Sequence, residues 1–275
     1  GKHRHWQILQ HCFQKALTTP GLQVVGISGE SGQGKTFLGS RFLEEHASKA
    51  ELWLLSFSYS RRGLDTPCIF QPLKKMMDYF QAERSCFDQA LGDRISALAA
   101  ALAGETELLP ASSDAARAAF HRNPLRHQLE IDGQTMSEQQ IIAERRQRLR
   151  NEIQEVVAAI AATRAIVYFL DDLHLADSAT LDFLADLGEQ APAAPIFLIF
   201  TWDSAALNFG NRAFEAFIAR LRAADHYREF PLTPLTREEI VGYLAESLVP
   251  NLLGERTDSS FIQFLAQATR GNALL

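Results

Sequence analysis

The fold of this chain is decided by one octapeptide, Gly29-Glu30-Ser31-Gly32-Gln33-Gly34-Lys35-Thr36, which has the spacing G-x-x-x-x-G-K-[ST]. Glycines at this spacing let the backbone wrap so that its N–H groups point inward, as a phosphate-binding loop requires. We expect Lys35 to reach the β- and γ-phosphates of a nucleotide and the Thr36 hydroxyl to bind Mg²⁺. Because the spacing arises by chance in only about one chain of this length in a hundred, it predicts a functional loop.

The segments on either side of the octapeptide support this interpretation. Leu22 to Ile27 is a short apolar run typical of a strand, and Lys35 to Ala50 has the apolar spacing of a helix. A helix that begins at such a loop directs the positive end of its dipole at a bound anion. We therefore expect the residues from Gly29 to Phe37 to contact the nucleotide. The alternative is a glycine-rich turn beside a solvated lysine.

Further apolar runs predict the rest of a sheet. Continuous rather than alternating hydrophobicity indicates strands that are buried on both faces, as in a parallel sheet between helices. The segments between these runs are helical in pattern, which gives β-α-β-α order and an α/β fold. The fold class predicted is therefore a five-stranded parallel sheet sandwiched by helices. The four later strands are predicted at residues 51–59, 165–173, 195–202 and 228–232.

Two acidic residues follow the third predicted strand. Asp171 and Asp172 come directly after a buried run, at the carboxyl end of the strand, where α/β sheets bind ligands. We expect Asp171 to hold Mg²⁺ and Asp172 to orient or deprotonate the attacking water. Thr201 ends the fourth strand and is a candidate contact to the γ-phosphate or the water. The alternatives are an acidic turn and a threonine that only caps a strand.

The chain divides into two predicted units. Residues 1–233 form the predicted phosphate-binding core, with a helical insertion at about 60–164. After Pro234 the pattern becomes helical, and Thr236 precedes Glu238 and Glu239, which suit a helix start. We interpret residues 234–275 as part of a small helical lid domain. The chain begins without Met and stops within a helical pattern, so we expect it to be a piece of a longer protein.

Composition narrows the classes of partner. The 275 residues carry a net charge of −6, which does not support a nucleic-acid surface spread over the chain. The longest apolar runs are far shorter than the roughly 18 residues that span a bilayer, so no membrane partner is expected. Three widely spaced cysteines fit neither a disulfide framework nor a zinc site and suit a reducing compartment. We therefore expect a cytoplasmic protein.

Several stretches, taken together, resemble a known family. The resemblance is to the signal-transduction ATPases with numerous domains (the STAND class of P-loop NTPases). It is closest to the AAA-type module of bacterial LuxR-like, cyclase-linked and kinase-linked regulators. It implies ATP or ADP and Mg²⁺ as cofactors, and a nucleotide-dependent switch with slow hydrolysis. The stretches are GESGQGKT (29–36), YFLDDLHLADSATLDFL (168–184), FLIFTWD (197–203), PLTREEI (234–240) and ATRGNALL (268–275).

The resemblance also assigns roles by position. It implies that Asp171 is the Mg²⁺ carboxylate and Asp172 the second acid of the pair. Gly271-Asn272 resembles the turn by which the lid closes on the nucleotide, although Ala273 stands where the family has proline. Asp203 stands where the family has an arginine after the fourth strand. The implied partners are other domains of the same longer chain, with self-association on ATP binding left open.

Other interpretations remain open beside the switch. One is a nucleotide-binding scaffold with little turnover, and another is a DNA-handling ring ATPase. Arg220 and Arg222 are either trans-acting arginines or ordinary surface residues. His174 either transfers a proton or contacts the γ-phosphate, or it has a structural role. The basic run at 145–150 is either a partner patch or a solvated helix face, and Trp6 packs on either adenine or the core.

Overall fold

A parallel sheet organises the part of the chain that can be described. The computed structural model describes residues 2–19, 21–59, 71–107, 138–189, 194–207, 211–234 and 236. All neighbouring strands are parallel, and their order is β2-β3-β4-β1-β5. The strands are β1 (Leu22–Gly29), β2 (Leu52–Ser58), β3 (Ala165–Asp171), β4 (Ile196–Asp203) and β5 (Tyr227–Pro231). The predicted five-stranded parallel α/β fold is confirmed, with strand limits within two residues of those expected.

Helices cover both faces of this sheet. The helices of the described residues are α1 (Lys2–Thr18), α2 (Lys35–His46), α3 (Gln71–Ala82), α4 (Gln89–Glu107), α5 (Glu138–Thr163), α6 (Ser178–Glu189) and α7 (Arg212–Arg222). Successive residues of the central strands enter opposite cores, because side chains alternate along a strand. Val24 and Tyr168 pack with α3 to α7, whereas Val25 and Phe169 pack with α1 and α2. The result is a three-layer sandwich.

The helix that follows the octapeptide lies close against the sheet. α2 packs on β3 at Gly39, where an added Cβ would collide with the Phe169 ring. His46 closes the helix: it is 2% exposed, its Nδ1 lies 2.8 Å from the Phe42 carbonyl, and its ring stacks on Phe42. α2 therefore ends at His46 rather than at the predicted Ala50, because tight turns after His46 lead directly into β2.

The first helix was not predicted from the sequence. α1 presents Leu9, Phe13 and Ala16 to the core beside α2 and β4, at the three- and four-residue spacing of one helix face. The Phe13 ring meets Phe42 edge-on at 5.4 Å. Since Phe42 belongs to the helix that starts at the phosphate loop, α1 supports that helix from outside.

Two side chains fix the starts of the helices that follow β3 and β4. Asp177 accepts a hydrogen bond from the backbone N–H of Thr180 at 2.9 Å, which caps α6. Asn211 accepts one from the N–H of Phe214 at 3.2 Å, which caps α7. Because each helix starts close to a strand's carboxyl end, both caps fix the loops at that edge of the sheet.

The segment predicted as an insertion is partly described. α3, α4 and α5 pack into the same core as the sheet, and the Tyr168 hydroxyl donates to the Pro72 carbonyl at 2.6 Å, which ties α3 to β3. Arg94 on α4 bonds to Glu152 and Glu155 on α5. The looser stretch expected around 104–133 lies mostly outside the described residues, as does most of the segment at 234–275 that was predicted to be a lid.

Candidate functional site

The candidate site lies at one edge of the sheet. Because all the strands are parallel, their carboxyl ends meet at the same edge. β1 ends there in the octapeptide, β3 ends in Asp171, and β4 ends in Asp203. The register places Asp203 opposite Gly29 and Thr201 opposite Ile27. The octapeptide, the acidic pair and Thr201 are thus brought together by the fold, although they are far apart in the chain.

The backbone of the octapeptide has the shape that a phosphate loop needs. Gly32 has φ 87° and Gly34 has φ 85°, both in the left-handed region that side-chain-bearing residues avoid. Gly34 is also the residue that precedes α2. The loop therefore leads directly into the N-terminus of a helix, where the dipole adds positive potential.

The Gln33 side chain bonds back to the start of the loop. Its Oε1 accepts a hydrogen bond from the Glu30 N–H at 2.8 Å, and the side chain is buried. Gly29 has φ 155°, a conformation that residues with side chains rarely adopt, and an added Cβ would also meet this Oε1 atom and the Leu232 carbonyl, so the position favours glycine. At the base of the loop, the Leu232 N–H donates to the Ser28 carbonyl at 2.7 Å. Gln33 is thus a shaping residue of the loop.

Lys35 is buried inside the loop. Its Nζ donates to the carbonyls of Gly29 and Glu30, each at 2.9 Å, and the residue is 7% exposed. The pKa of the Lys35 ammonium is lowered from its usual value because the effect of burial is the largest, although four nearby carboxylates oppose the shift. In decreasing order of effect these are Asp203, Asp172, Asp171 and Glu30. The lysine is therefore a cation set among acidic groups, at the position where the loop would receive a phosphate.

Thr36 and Asp171 are in direct contact. The Thr36 hydroxyl donates to Oδ1 and Oδ2 of Asp171 at 3.0 and 2.9 Å. Asp171 is 5% exposed, and its Oδ1 also accepts a hydrogen bond from the Thr201 hydroxyl at 2.6 Å. A hydroxyl beside a carboxylate is the oxygen donor pair that Mg²⁺ takes in nucleotide sites, where phosphates and water complete its coordination. The residues present therefore fit the ion that the sequence predicted.

Thr201 connects the two aspartates. Its hydroxyl donates to Asp171, and the same oxygen accepts a hydrogen bond from the Asp172 N–H at 2.9 Å. The residue is fully buried. In this geometry Thr201 acts on the acidic pair directly, a contact that the sequence did not reveal because strand order is not readable from chain order.

Asp172 has an unusual backbone. Its φ of 55° makes it the one non-glycine residue with positive φ in the described part of the chain. Such conformations cost energy and persist where surrounding contacts hold them, often at functional sites. Burial, followed by the charge of Asp171, raises the pKa of the Asp172 carboxyl. With its side chain 41% exposed, this carboxylate is accessible from the site.

The remaining predicted contacts surround this centre. Glu30, Ser31 and Thr36 are exposed at the mouth of the loop, and Phe37 is 52% exposed beside it. Trp6 packs in a tilted arrangement on Phe42, with ring centroids 5.8 Å apart.

The arginines considered from the sequence have partners within the chain. Arg220 donates to Asp186 at 2.7 Å, and Arg150 bonds to the other carboxylate oxygen of Asp186 at 3.1 Å. Arg222 makes a bidentate pair with Glu229, both distances being 2.8 Å. Each of these three guanidinium groups is therefore paired with a carboxylate of the same chain. The side chains of Arg145 and Arg146 lie outside the described part.

One residue at this edge was missed. Asn211 caps α7 and also donates from Nδ2 to the His174 carbonyl at 2.9 Å. An asparagine directly before an apolar-periodic helix is a recognisable cap signal, so its capping role was readable from the sequence, whereas its bond to His174 was not.

Among the residues that the structure describes, no helix is both long and apolar enough to cross a membrane. Comparison with curated proteins gives no match to this sequence.

Three solved structures illustrate what the chain resembles. The first is a Signal Transduction ATPase with Numerous Domains (STAND) protein with a tetratricopeptide repeat sensor from Pyrococcus horikoshii. It has 14% identity and a TM-score of 0.44, and the match covers 100% of this chain and 28% of that one. Cdc6p from Pyrobaculum aerophilum has 13% identity and a TM-score of 0.45, with 90% and 48% covered. Drosophila ORC bound to DNA has 14% identity and a TM-score of 0.44, with 96% and 48% covered. The chain thus spans less than half the length of each.

A family model gives the assignment. The model described as AAA ATPase domain matches residues 1–199, a span that contains the phosphate loop, the acidic pair and the first part of β4. The predicted AAA-type P-loop NTPase is therefore confirmed at the level of the family. With well over half of its length matched, the chain belongs to the AAA ATPase domain family.

Proposed function

We propose that this chain is the ATP-binding and slowly hydrolysing switch module of a larger regulatory protein, of the STAND type. The observation that carries the proposal is the joint placement of Lys35, Thr36 and Asp171. A buried ammonium lies within the loop, and a hydroxyl and a carboxylate lie in contact beside it. Cation and oxygen donors set side by side suit a polyphosphate bound with a divalent cation.

Each residue has a role in nucleotide binding. The Lys35 ammonium binds the β- and γ-phosphates, and the loop N–H groups bind the remaining phosphate oxygens. Thr36 and Asp171 would hold Mg²⁺, which neutralises charge on the phosphates when bound. Thr201 keeps Asp171 in place through its 2.6 Å hydrogen bond. Phe37 and Ser31, both exposed at the loop, are the candidate contacts for the rest of the nucleotide.

Asp172 is the candidate for the hydrolytic step. Its carboxylate accepts a proton from a water whose oxygen attacks the γ-phosphorus. The bond from that phosphorus to the bridging oxygen breaks, and the products are ADP and inorganic phosphate. The raised pKa of this carboxyl makes it a better proton acceptor than an ordinary aspartate. A switch follows if the γ-phosphate makes contacts in one state that ADP cannot make.

The lid and the longer chain belong to the same proposal. Residues 234–275 form the lid that closes on the nucleotide, and residues 1–233 form the core. Partners are other domains of the parent protein, and the location is the cytoplasm. Support comes from the two free cysteines of the described part, Cys12 and Cys86, which suit a reducing compartment.

A second candidate function is a nucleotide-binding scaffold with little turnover. Asp203 favours it, because this residue pairs with Gly29 in the sheet register, and an acidic side chain there cannot stabilise transition-state charge as an arginine would. The DNA-handling ring ATPase lacks comparable support, since the chain carries a net charge of −6.

One experiment separates these candidates. Binding of ATP and its turnover by the chain are both measured with Mg²⁺ at increasing protein concentration. Each measurement is made with and without double-stranded DNA. Slow turnover that is indifferent to DNA supports the switch. Tight binding without turnover supports the scaffold, and strong stimulation by DNA supports the ring ATPase. Failure to bind any nucleotide would refute all three.

A further inference from the structure

We propose that His174 is a positioning residue: it links the ends of β3 and β4 and orients the Asp172 carboxylate toward the attacking water. The inference rests on the proposed function, in which Asp172 accepts the proton. It concerns a residue that this function did not use, and it assigns no direct contact between His174 and the nucleotide.

The imidazole of His174 lies between two acidic residues. The Asp203 N–H donates to Nδ1 of His174 at 3.4 Å, and Asp172 Oδ1 lies 3.9 Å from the same nitrogen. The residue is 8% exposed. The side chain of His174, in the turn that follows β3, thus bonds to the last residue of β4 and ties this turn to the end of β4.

Residues at the start of α7 fix the position of the His174 ring. The His174 carbonyl accepts a hydrogen bond from Asn211 Nδ2 at 2.9 Å, and the ring meets Phe214 edge-on with centroids 6.4 Å apart. Asn211 and Phe214 stand at the start of α7. His174 also lies in a 3₁₀ turn, Leu173–Leu175, which follows Asp172 directly. The ring is therefore held by α7 while it contacts the two strand ends.

The hydrogen bond from Asp203 has a chemical consequence. A nitrogen that accepts a hydrogen bond carries no proton, so the neutral ring has its proton on Nε2. An unprotonated Nδ1 cannot donate to Asp172, and it faces Oδ1 with a lone pair. Because Nδ1 and Oδ1 both carry negative partial charge, they repel each other, which disfavours rotation of the carboxylate toward the ring. The backbone N–H of Asp172 is held on the other side by Thr201 at 2.9 Å.

This arrangement suits a proton acceptor. A general base works only within hydrogen-bond reach of its proton and in the right orientation, and small misplacements cost large factors in rate. The Thr201 hydroxyl holds the Asp172 backbone, and repulsion from Nδ1 of His174 disfavours rotation of the carboxylate toward the ring. His174 thus acts through Asp172 and not on the substrate.

Two substitutions separate positioning from packing. His174→Phe keeps a ring against Phe214 but removes the acceptor for the Asp203 N–H. His174→Asn loses the ring but puts an oxygen acceptor near the place of Nδ1. If His174 only fills space, phenylalanine is the better replacement. If it positions Asp172, asparagine is the better one.

The experiment measures the Kd for Mg·ATP and the kcat for hydrolysis in the 275-residue chain and both variants. The exposed His11→Phe serves as a control. We expect His174→Phe to lower kcat by about tenfold or more, with a Kd within about twofold of the parent, since orientation and not binding is lost. We expect His174→Asn to recover most of the parental kcat. Parental kcat in His174→Phe, or an equal loss in both variants, would overturn the inference.

A second measurement keeps this test independent of the proposed function. Long-range ¹H–¹⁵N correlation spectra of the nucleotide-free chain report which ring nitrogen of His174 carries the proton at neutral pH. The inference requires the proton on Nε2, and an Asp203 amide resonance that moves in His174→Phe more than in His174→Asn. A proton on Nδ1 would overturn the inference even in a chain without turnover. A parent that binds no nucleotide would instead refute the proposed function.

Discussion

Thr36 and Asp171 stand 135 positions apart in the chain, yet the hydroxyl of the first lies 3.0 and 2.9 Å from the two carboxylate oxygens of the second. The contact joins the start of α2 to the end of β3. It exists because β3 and β1 are parallel members of one sheet, separated by β4. In the proposed function this pair holds the nucleotide-bound cation. The division of roles between Asp171, which binds the cation, and Asp172, which accepts the proton, therefore depends on this contact.

The two aspartates should therefore respond differently to substitution. We expect Asp171→Ala to weaken Mg²⁺-dependent ATP binding, because it removes the carboxylate that contacts Thr36. We expect Asp172→Ala to spare binding and to slow hydrolysis by about 10²-fold or more, the loss typical of a missing general base. Calorimetry and phosphate-release assays measure the two effects. If both variants bind Mg·ATP and hydrolyse it as the parent does, the acidic pair is only a strand end.

Thr201 should behave as a support for these aspartates. Thr201→Val keeps the shape but removes the buried hydrogen bond to Asp171 and the acceptor of the part-buried Asp172 N–H, so we expect a loss of about 1–3 kcal/mol of unfolding free energy together with slower hydrolysis. Thr201→Ser restores the hydroxyl and should recover both. Urea unfolding and turnover are measured together.

Thr180→Val is the matched control for Thr201, since Thr180 is also fully buried and bonds to Asp177 at 2.6 Å. This control should cost stability without a comparable effect on turnover. Normal turnover in Thr201→Val would show that Thr201 does not support the two aspartates in hydrolysis.

Much of this architecture was predictable from local sequence. The octapeptide required a strand before it and a helix after it, and the continuous apolar runs that became β1, β3 and β4 are buried on both faces as predicted. Asp171 was recognisable because it directly follows such a run. In each case the signal lies within about ten neighbouring residues.

What the sequence did not reveal depends on pairing across the sheet. The bond from Thr201 to Asp171 requires β3 and β4 to be neighbours, and chain order does not specify which strands pair. α1 was missed because its polar residues give a weak pattern, although Leu9 and Phe13 are fully buried. The contact of His174 with Asp203 likewise arises only when two strand ends meet.

His226 should make stability depend on pH. Burial lowers the pKa of His226 from 6.5, and its Nε2 is buried with no hydrogen-bond partner among the described residues. In the window between the lowered value and 6.5 the unfolded chain binds more protons, so stability rises with pH through that window and falls on acidification.

We therefore expect His226→Gln to reduce the loss of stability on acidification from about pH 7.5 to about pH 5.5. Urea unfolding across this range, with exposed His11→Gln as a control, measures the effect. An unchanged slope in His226→Gln would contradict the assignment.

The proposed lid should respond to nucleotide. The segment at 234–275 is joined to β5 through Pro231 and Pro234, which favour a non-helical connection. Ligand sites commonly lie between two such units. We expect ATP to slow hydrogen exchange both in the loop at 29–36 and in residues 234–275, and Lys35→Ala to abolish both effects. Protection confined to the loop would rule out a lid role for the later segment.

The central claim is that the octapeptide binds the phosphates of ATP through Lys35, and calorimetric titration with Mg·ATP tests it most directly. We predict saturable binding at one site per chain, weakened by about 100-fold in Lys35→Ala because charge-assisted hydrogen bonds to phosphate are lost. The exposed Lys49→Ala should bind like the parent. Equal affinity in Lys35→Ala and the parent, or no binding in the parent, would contradict the account.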